Sequence, residues 1–328
     1  MSGSTQIVEA SSGNVVIHAE IDPQLVEHLL TDPGGLVWVN LCGVEMGGAE
    51  KTLSGLFDFH PLAIEDALRE QHAPKIDDWD VYIYLVLQDA NLLDPDRSIE
   101  VDVFLGSNFL VTHTKESAPA VDRLIAAAQT DPRLFQFGPV RLLSSLANEI
   151  ADNYLKLLDR VNLEIEKLEE SLFRDPEPDL LEEVFDQKRN LLHLRRYLGP
   201  QRDVLIKLTR GEYQVVPKTE RVYFRDVSDH FVRLEALNES LIELTVAARD
   251  TYLSVVNNRL NDVVKILTII TSLFMPLTFL TGFFGMNFFQ PLNLFPGWTG
   301  RLAFVITLIL ILGLPVGMFI WMKRRKWL

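Results

Sequence analysis

Val263-Val264-Lys265-Ile266-Leu267-Thr268-Ile269-Ile270-Thr271-Ser272-Leu273-Phe274-Met275-Pro276-Leu277-Thr278-Phe279-Leu280-Thr281-Gly282-Phe283-Phe284 is the stretch that decides the fold class. Its one charge, Lys265, stands near the start. The run has the ~20 residues that a helix rising ~1.5 Å per residue needs to cross ~30 Å of hydrocarbon. A second run, Leu302 to Met322, carries no charge at all, and the short connection from Gly285 to Arg301 has no carboxylate. Everything before Val263 reads as soluble. The expected class is therefore an α+β membrane protein with two C-terminal transmembrane helices. Two spans per chain cannot enclose a pathway alone, so oligomerisation becomes the first functional question.

The chain has 328 residues and a net charge of −14, with its carboxylates crowded before the first span. Such a surface repels a phosphate backbone, which argues against nucleic acid as a partner, and it suits cations instead. The single cysteine, Cys42, excludes an internal disulfide framework and fits a reducing compartment. It is expected as a small buried residue beside a strand. His60, Glu65, Asp66 and His72 lack the spacing of a zinc hydrolase, and no nucleotide-binding loop is present, so neither an enzyme nor a nucleotide partner is expected.

Residues 1–12 are polar, with no basic segment leading into an apolar one, so no signal peptide is expected. Lys323, Arg324, Arg325 and Lys326 follow the second span directly. The positive-inside tendency keeps that end cytoplasmic. Two spans then place the N-terminal part in the cytoplasm too, the connecting loop outside, and the protein in the plasma (inner) membrane. Trp298, Trp321 and Trp327 fall near the expected interfaces, where amphipathic rings settle.

Along the chain, residues 1–138 read as a cytoplasmic α/β domain. Strands are expected at Val15 to Ile17, Leu36 to Val39, Val81 to Leu87, Val101 to Leu105 and Phe109 to Val111, from their β-branched and aromatic content. Short helices fit around Pro23 to Leu30 and Pro61 to Arg69, and Asp94-Pro95-Asp96 reads as a turn. Residues 139–217 read as a helical hairpin, its first arm ending at Arg174-Asp175-Pro176-Glu177-Pro178 and its second breaking between Gly211 and Pro217. From Lys218 no proline or glycine occurs until Pro276. A stalk helix over 218–262 therefore continues without interruption into the span at 263–284, on the order of 100 Å of helix at ~1.5 Å per residue. Residues 285–301 form the external loop, 302–322 the second span and 323–328 a basic tail.

Helical spacing places Asn257, Asn261, Val264, Thr268, Thr271, Met275, Thr278 and Gly282 on one face, with Ile266, Ile269, Ile270, Leu273, Phe274 and Leu277 on the others. A stripe of amides, hydroxyls and small groups on an oily span has two readings. It packs helices together, or it lines a water-filled path. In the second reading Val264, Leu267 and Met275 narrow that path. Side-chain oxygens suit a hard divalent cation such as Mg²⁺, held through its own water shell. No cysteine or histidine lies in either span to favour a softer metal by direct ligation.

Gly285-Met286-Asn287 directly after the first span, preceded by Met275-Pro276-Leu277-Thr278-Phe279 and followed by a second span with a basic end, resembles the CorA family of magnesium and cobalt transporters. His60-Pro61-Leu62-Ala63-Ile64-Glu65-Asp66, Pro74-Lys75 and Tyr223-Phe224-Arg225-Asp226-Val227-Ser228-Asp229-His230 carry the resemblance through the rest of the chain. The resemblance implies a homopentamer whose first spans ring a pore, with Gly285, Met286 and Asn287 forming a selectivity filter at its outer mouth. It places constrictions at Asn261, Val264, Leu267 and Met275. It also implies that Mg²⁺ is both cargo and regulator. Asp66 of one subunit and Asp226 of the next, with Glu65 and His230 nearby, would bind cytoplasmic Mg²⁺ and hold the channel shut.

This chain departs from the family pattern in two places. The external loop lacks the acidic residues relatives often carry, and Val264 stands where methionine is common. The zinc-transporting ZntB branch usually has isoleucine where this chain has Met286, which favours magnesium. A proton-coupled zinc transporter of that kind and a pore-less membrane-anchored coiled-coil scaffold are the alternatives.

Overall fold

The computed structural model describes residues 4–11, 14–18, 21–32, 35–69, 71–92, 94, 97–131, 137–286 and 301–325. Pro95 and Asp96 of the expected turn, Asn287 and Trp298 of the external loop, and Lys326, Trp327 and Leu328 of the tail lie outside these residues. The chain divides into two compact units, Met1–Thr251 and Tyr252–Leu328.

In the first unit seven strands form one sheet: β1 (Ser4–Ser11), β2 (Asn14–His18), β3 (Leu36–Cys42), β4 (Lys75–Asp78), β5 (Ile83–Ala90), β6 (Ser98–Leu105) and β7 (Phe109–Thr114). Their order is β2-β1-β3-β7-β6-β5-β4. Only the β3–β7 pair is parallel, and the remaining pairs are antiparallel. The central strands are apolar on both faces because both faces are covered. On one face Trp38, Ile83, Leu85, Leu87, Val101 and Val103 meet α4 (Pro119–Thr130), α5 (Pro139–Arg174), α6 (Pro178–Arg210) and the start of α7 (Arg221–Gly285). On the other, Val37, Val39, Tyr84, Val86 and Phe104 meet α1 (Pro23–Thr31), α2 (Met46–Gly55) and α3 (Pro61–Arg69). Leu85 is fully buried in the first layer. Truncating such a leucine to alanine costs about 2–5 kcal/mol, part of it for the cavity left behind.

Local chemistry places the breaks. Asp22 caps α1 by accepting the Gln24 N–H at 3.0 Å. α6 ends on Gly211 at φ 82°, a left-handed position where any side chain would also strike the Arg221 guanidinium. β1, β4, α2 and α4 were not anticipated. β4 is a four-residue edge strand with two aspartates, which protects an edge but hides it from propensity. α2 contains three glycines and forms because Ala49 and Leu53 are buried beneath it.

α7 is one helix of 65 residues containing Pro276. It extends one residue beyond the expected end of the first span, through Gly285. In the second unit α8 (Arg301–Arg324) carries Lys323 and Arg324 in its last turn. By length and composition α7 and α8 each contain a stretch apolar enough to cross a membrane, with mean hydropathies of 2.0 and 2.5.

Candidate cation pathway and regulatory carboxylates

Within the second unit the span of α7 has two unlike sides. Ile269, Ser272, Leu273, Pro276, Leu277 and Leu280 are partly covered and recur at helical spacing. Asn257, Asn261, Val264, Leu267, Thr268, Thr271, Met275, Thr278 and Gly282 are all exposed, as are the apolar Ile266, Ile270 and Phe274 on its flanks. Most of the polar stripe lies nearly opposite the covered side. It is therefore not the seam that packs this unit together.

The threonine hydroxyls on the stripe are oriented by their own helix. Thr268 donates to the Val264 carbonyl at 2.8 Å, Thr271 to Leu267 at 2.8 Å and Thr278 to Phe274 at 2.9 Å. A hydroxyl has one donor and two lone pairs. With the donor consumed, each oxygen offers only lone pairs outward. That polarity suits water molecules turned outward by a cation. Gly285 closes α7, and Met286 follows with its N–H donating to the Phe283 carbonyl at 3.3 Å. Both are exposed.

The carboxylates of the first unit sit on two different layers. Glu65 is exposed on α3 and pairs with Arg69 at 3.3 Å. Asp66, half-buried one residue on, is bound by the Lys75 ammonium, and His72 Nε2 stands 4.0 Å from it. Lys75 also reaches Asp77 at 3.1 Å and lies 5.4 Å from the centre of the Tyr84 ring. Burial pulls the lysine downward, but its bonds to Asp66 and Asp77 and their charges outweigh this and hold it above its usual value. A built-in cation therefore occupies the carboxylate expected to take Mg²⁺.

Asp226 is exposed on α7, against the other face of the sheet. It borders a cavity of about 360 Å³ together with His230, Asn148 and Glu149. Arg141 closes one side, its guanidinium 3.2 Å from the centre of the Tyr223 ring. Asp66 and Asp226 are thus held by elements on opposite layers. Among the described residues no three His, Cys, Asp or Glu side chains gather as a metal site within one chain.

Further acidic groups are buried in the sheet. Asp102 accepts from Tyr84 Oη at 2.7 Å and faces His113 Nδ1 at 3.1 Å; burial raises it, and the His113 bond opposes that rise. Glu100 accepts the His72 N–H at 2.7 Å and is pushed up to about 7 by burial and by the Asp102 charge. Asp89 accepts from Asn153 Nδ2 at 2.7 Å and Ala120 N at 2.8 Å, yet burial raises it to about 6. Asp89 ties the sheet to α4 and α5, whereas Asp102 and Glu100 join neighbouring strands and the α3–β4 connection. Cys42, at the end of β3, is a free thiol of intermediate exposure rather than the buried residue expected.

Residues 33–324 match the family described as CorA-like Mg²⁺ transporter protein. The chain belongs to the CorA family. That family comprises divalent metal ion transporters of the membrane, not enzymes. The cobalt/magnesium transport protein CorA of Thermotoga maritima is 31% identical over 301 residues, covering 89% of this chain and 83% of its own. The zinc transport protein ZntB of Pectobacterium carotovorum is 27% identical over 235 residues, covering 71% and 69%. The complete structure of the CorA magnesium transporter from Methanocaldococcus jannaschii shares the fold, with a TM-score of 0.83 at 22% identity over 100% of this chain and 99% of that one. In this CorA chain the sequence reading had named Lys75 only as part of a motif. The position of the lysine nine residues after Asp66, across the α3–β4 turn, carried no signal of their pairing. Nor did Asn148 and Glu149 stand out from the solvated face of α5.

Proposed function

We propose that this CorA-family chain is a Mg²⁺ uptake channel, also admitting Co²⁺, that works as a homopentamer in the plasma (inner) membrane with both termini cytoplasmic. Five copies of α7 turn the Asn257–Thr278 stripe inward around a hydrated path. Gly285, Met286 and Asn287 form the filter at its outer end, and Asn261, Val264, Leu267 and Met275 narrow it. The observation that carries this reading is the alignment of the Asn257–Thr278 amides and hydroxyls along one exposed face of α7, nearly opposite its partly covered side.

The driving force is electrical. A divalent ion gains roughly 4.6 kcal/mol per 100 mV, enough for an inward excess of about a thousandfold. A path of that kind needs a brake. Asp66 of one subunit and Asp226 of its neighbour, with Glu65 and His230 beside them, bind Mg²⁺ across the interface as the cytoplasmic concentration rises. Neutralising facing carboxylates then favours the closed assembly. Their separation onto opposite layers of one chain supports an intersubunit site.

The second reading is a zinc transporter, favoured by the similarity to ZntB. Flux into proteoliposomes with Mg²⁺, Co²⁺ and Zn²⁺ in competition, internal Mg²⁺ varied and internal pH recorded, tests both. Mg²⁺ influx that slows as internal Mg²⁺ rises supports the proposal. Zn²⁺ influx accompanied by protons and indifferent to Mg²⁺ would replace it, and no flux of any ion would leave only the scaffold.

A further inference from the structure

We infer that the cavity bounded by Arg97, Arg196, His72 and His193 is a binding site for a small oxyanion of the phosphate class. The cavity measures about 430 Å³ and opens between the α3–β4 connection, the start of β6 and α6. The comparison with the other concavities of the first unit is informative. One is bordered by Asp152, a second by Asp226 and Glu149, and a third by Glu50, Asp58 and Glu65. Among the described residues, the cavity at Arg196 has no carboxylate in its lining, although the chain carries a net charge of −14.

The groups that line it are suited to an oxyanion. Arg196 makes no ion pair among the described residues and presents a planar guanidinium on the exposed side of α6. Arg97 lines the cavity from the sheet side, and its carboxylate neighbour among the described residues, Glu116, is 3.6 Å away with both side chains at least half exposed. Two guanidiniums across a concavity match the paired oxygens of a tetrahedral anion better than they match a cation or an apolar group. Deeper in, His193 Nδ1 is buried without a hydrogen-bond partner. The Tyr197 ring meets the imidazole edge-on at 5.1 Å and fixes its direction. Ser98 adds a hydroxyl to the lining. Glu100 is kept behind this wall, accepting from His72 N and from Gln88 Nε2 at 3.2 Å, and it is not part of the lining.

The test uses the full-length protein in detergent, in Mg²⁺-free buffer, titrated calorimetrically with inorganic phosphate against chloride at matched ionic strength. One saturable event per chain is expected, and Arg196→Ala weakens it by about tenfold or more. Arg195→Ala removes the same charge one residue away, where the side chain is already engaged with Glu239 at 3.4 Å, and leaves the affinity unchanged. A parallel titration with adenosine monophosphate separates the sources: tighter binding than phosphate assigns the site to phosphate carried on a nucleoside, weaker binding assigns it to the free ion. No saturable heat at millimolar phosphate overturns the inference. So does equal weakening by Arg195→Ala and Arg196→Ala, which would reduce the effect to diffuse charge.

Discussion

Replacing Lys75 with methionine removes the internal cation from Asp66 while keeping most of the apolar stem that passes near Tyr84. A Mg²⁺ ion bound to Asp66 would lie roughly 5 Å from the ammonium, and the two would repel by about 1.7 kcal/mol at the dielectric constant of water and about 6.6 at an effective value of about 20. The side chains of Lys75 and Asp66 are 29% and 31% exposed, so solvent screening keeps the effect toward the lower figure. Taking about 2 kcal/mol, the variant binds regulatory Mg²⁺ roughly thirtyfold more tightly. In proteoliposomes with internal Mg²⁺ varied, Lys75→Met is therefore shut at about thirtyfold lower internal Mg²⁺ than the parent, with the open-channel rate unchanged. Losing a partly exposed ion pair costs only about 1 kcal/mol of stability, which a melting curve checks. A folded variant inhibited at the same or higher internal Mg²⁺ would refute the idea that the lysine competes with the ion at Asp66.

Asp66→Ala and Asp226→Ala each relieve inhibition by internal Mg²⁺ without lowering flux at low internal Mg²⁺; inhibition unchanged in both would remove them from the sensor. Asn287→Ala abolishes uptake in an assembly that still forms, measured by flux and by native mass. Glu100 gives a pH signature in thermal unfolding. Its folded value of about 7 lies above the unfolded 4.5, so the native state holds the proton over a range where the unfolded chain has lost it. Stability therefore falls as pH rises between those values, by on the order of 3 kcal/mol at most, and Glu100→Gln flattens that slope. Asp89, raised to about 6, acts in the same direction, so some slope persists in the variant.

Where one residue's neighbours in sequence are also its neighbours in space, the sequence was readable. The long helix α7 followed from an absence, no proline or glycine between Lys218 and Pro276. Five of the strands followed from their β-branched and aromatic content; that both faces of the sheet are covered required the structure. β4 escaped because an edge strand is built from the charges that hide it, and α2 because burial of Ala49 and Leu53 overrode its glycines. At the carboxylates proposed to regulate, motif position named Asp66 and Asp226 but not their surroundings. The pairing of Asp66 with Lys75 depends on how a helix and an edge strand pack, which no periodicity encodes. The stripe was legible as a stripe; that it lies nearly opposite the covered side of α7 required the structure.

Cysteine modification across the first span bears most directly on that stripe. In a Cys42→Ser background, Thr268→Cys and Ile266→Cys place thiols at nearly equal depth on opposite faces of α7. The channel account predicts that a charged, membrane-impermeant thiol reagent reacts with the cysteine at 268 and blocks Mg²⁺ uptake, while the one at 266 stays unreactive and uptake continues. Reaction and block at 266 with an inert thiol at 268 would put the hydroxyls against lipid and contradict it.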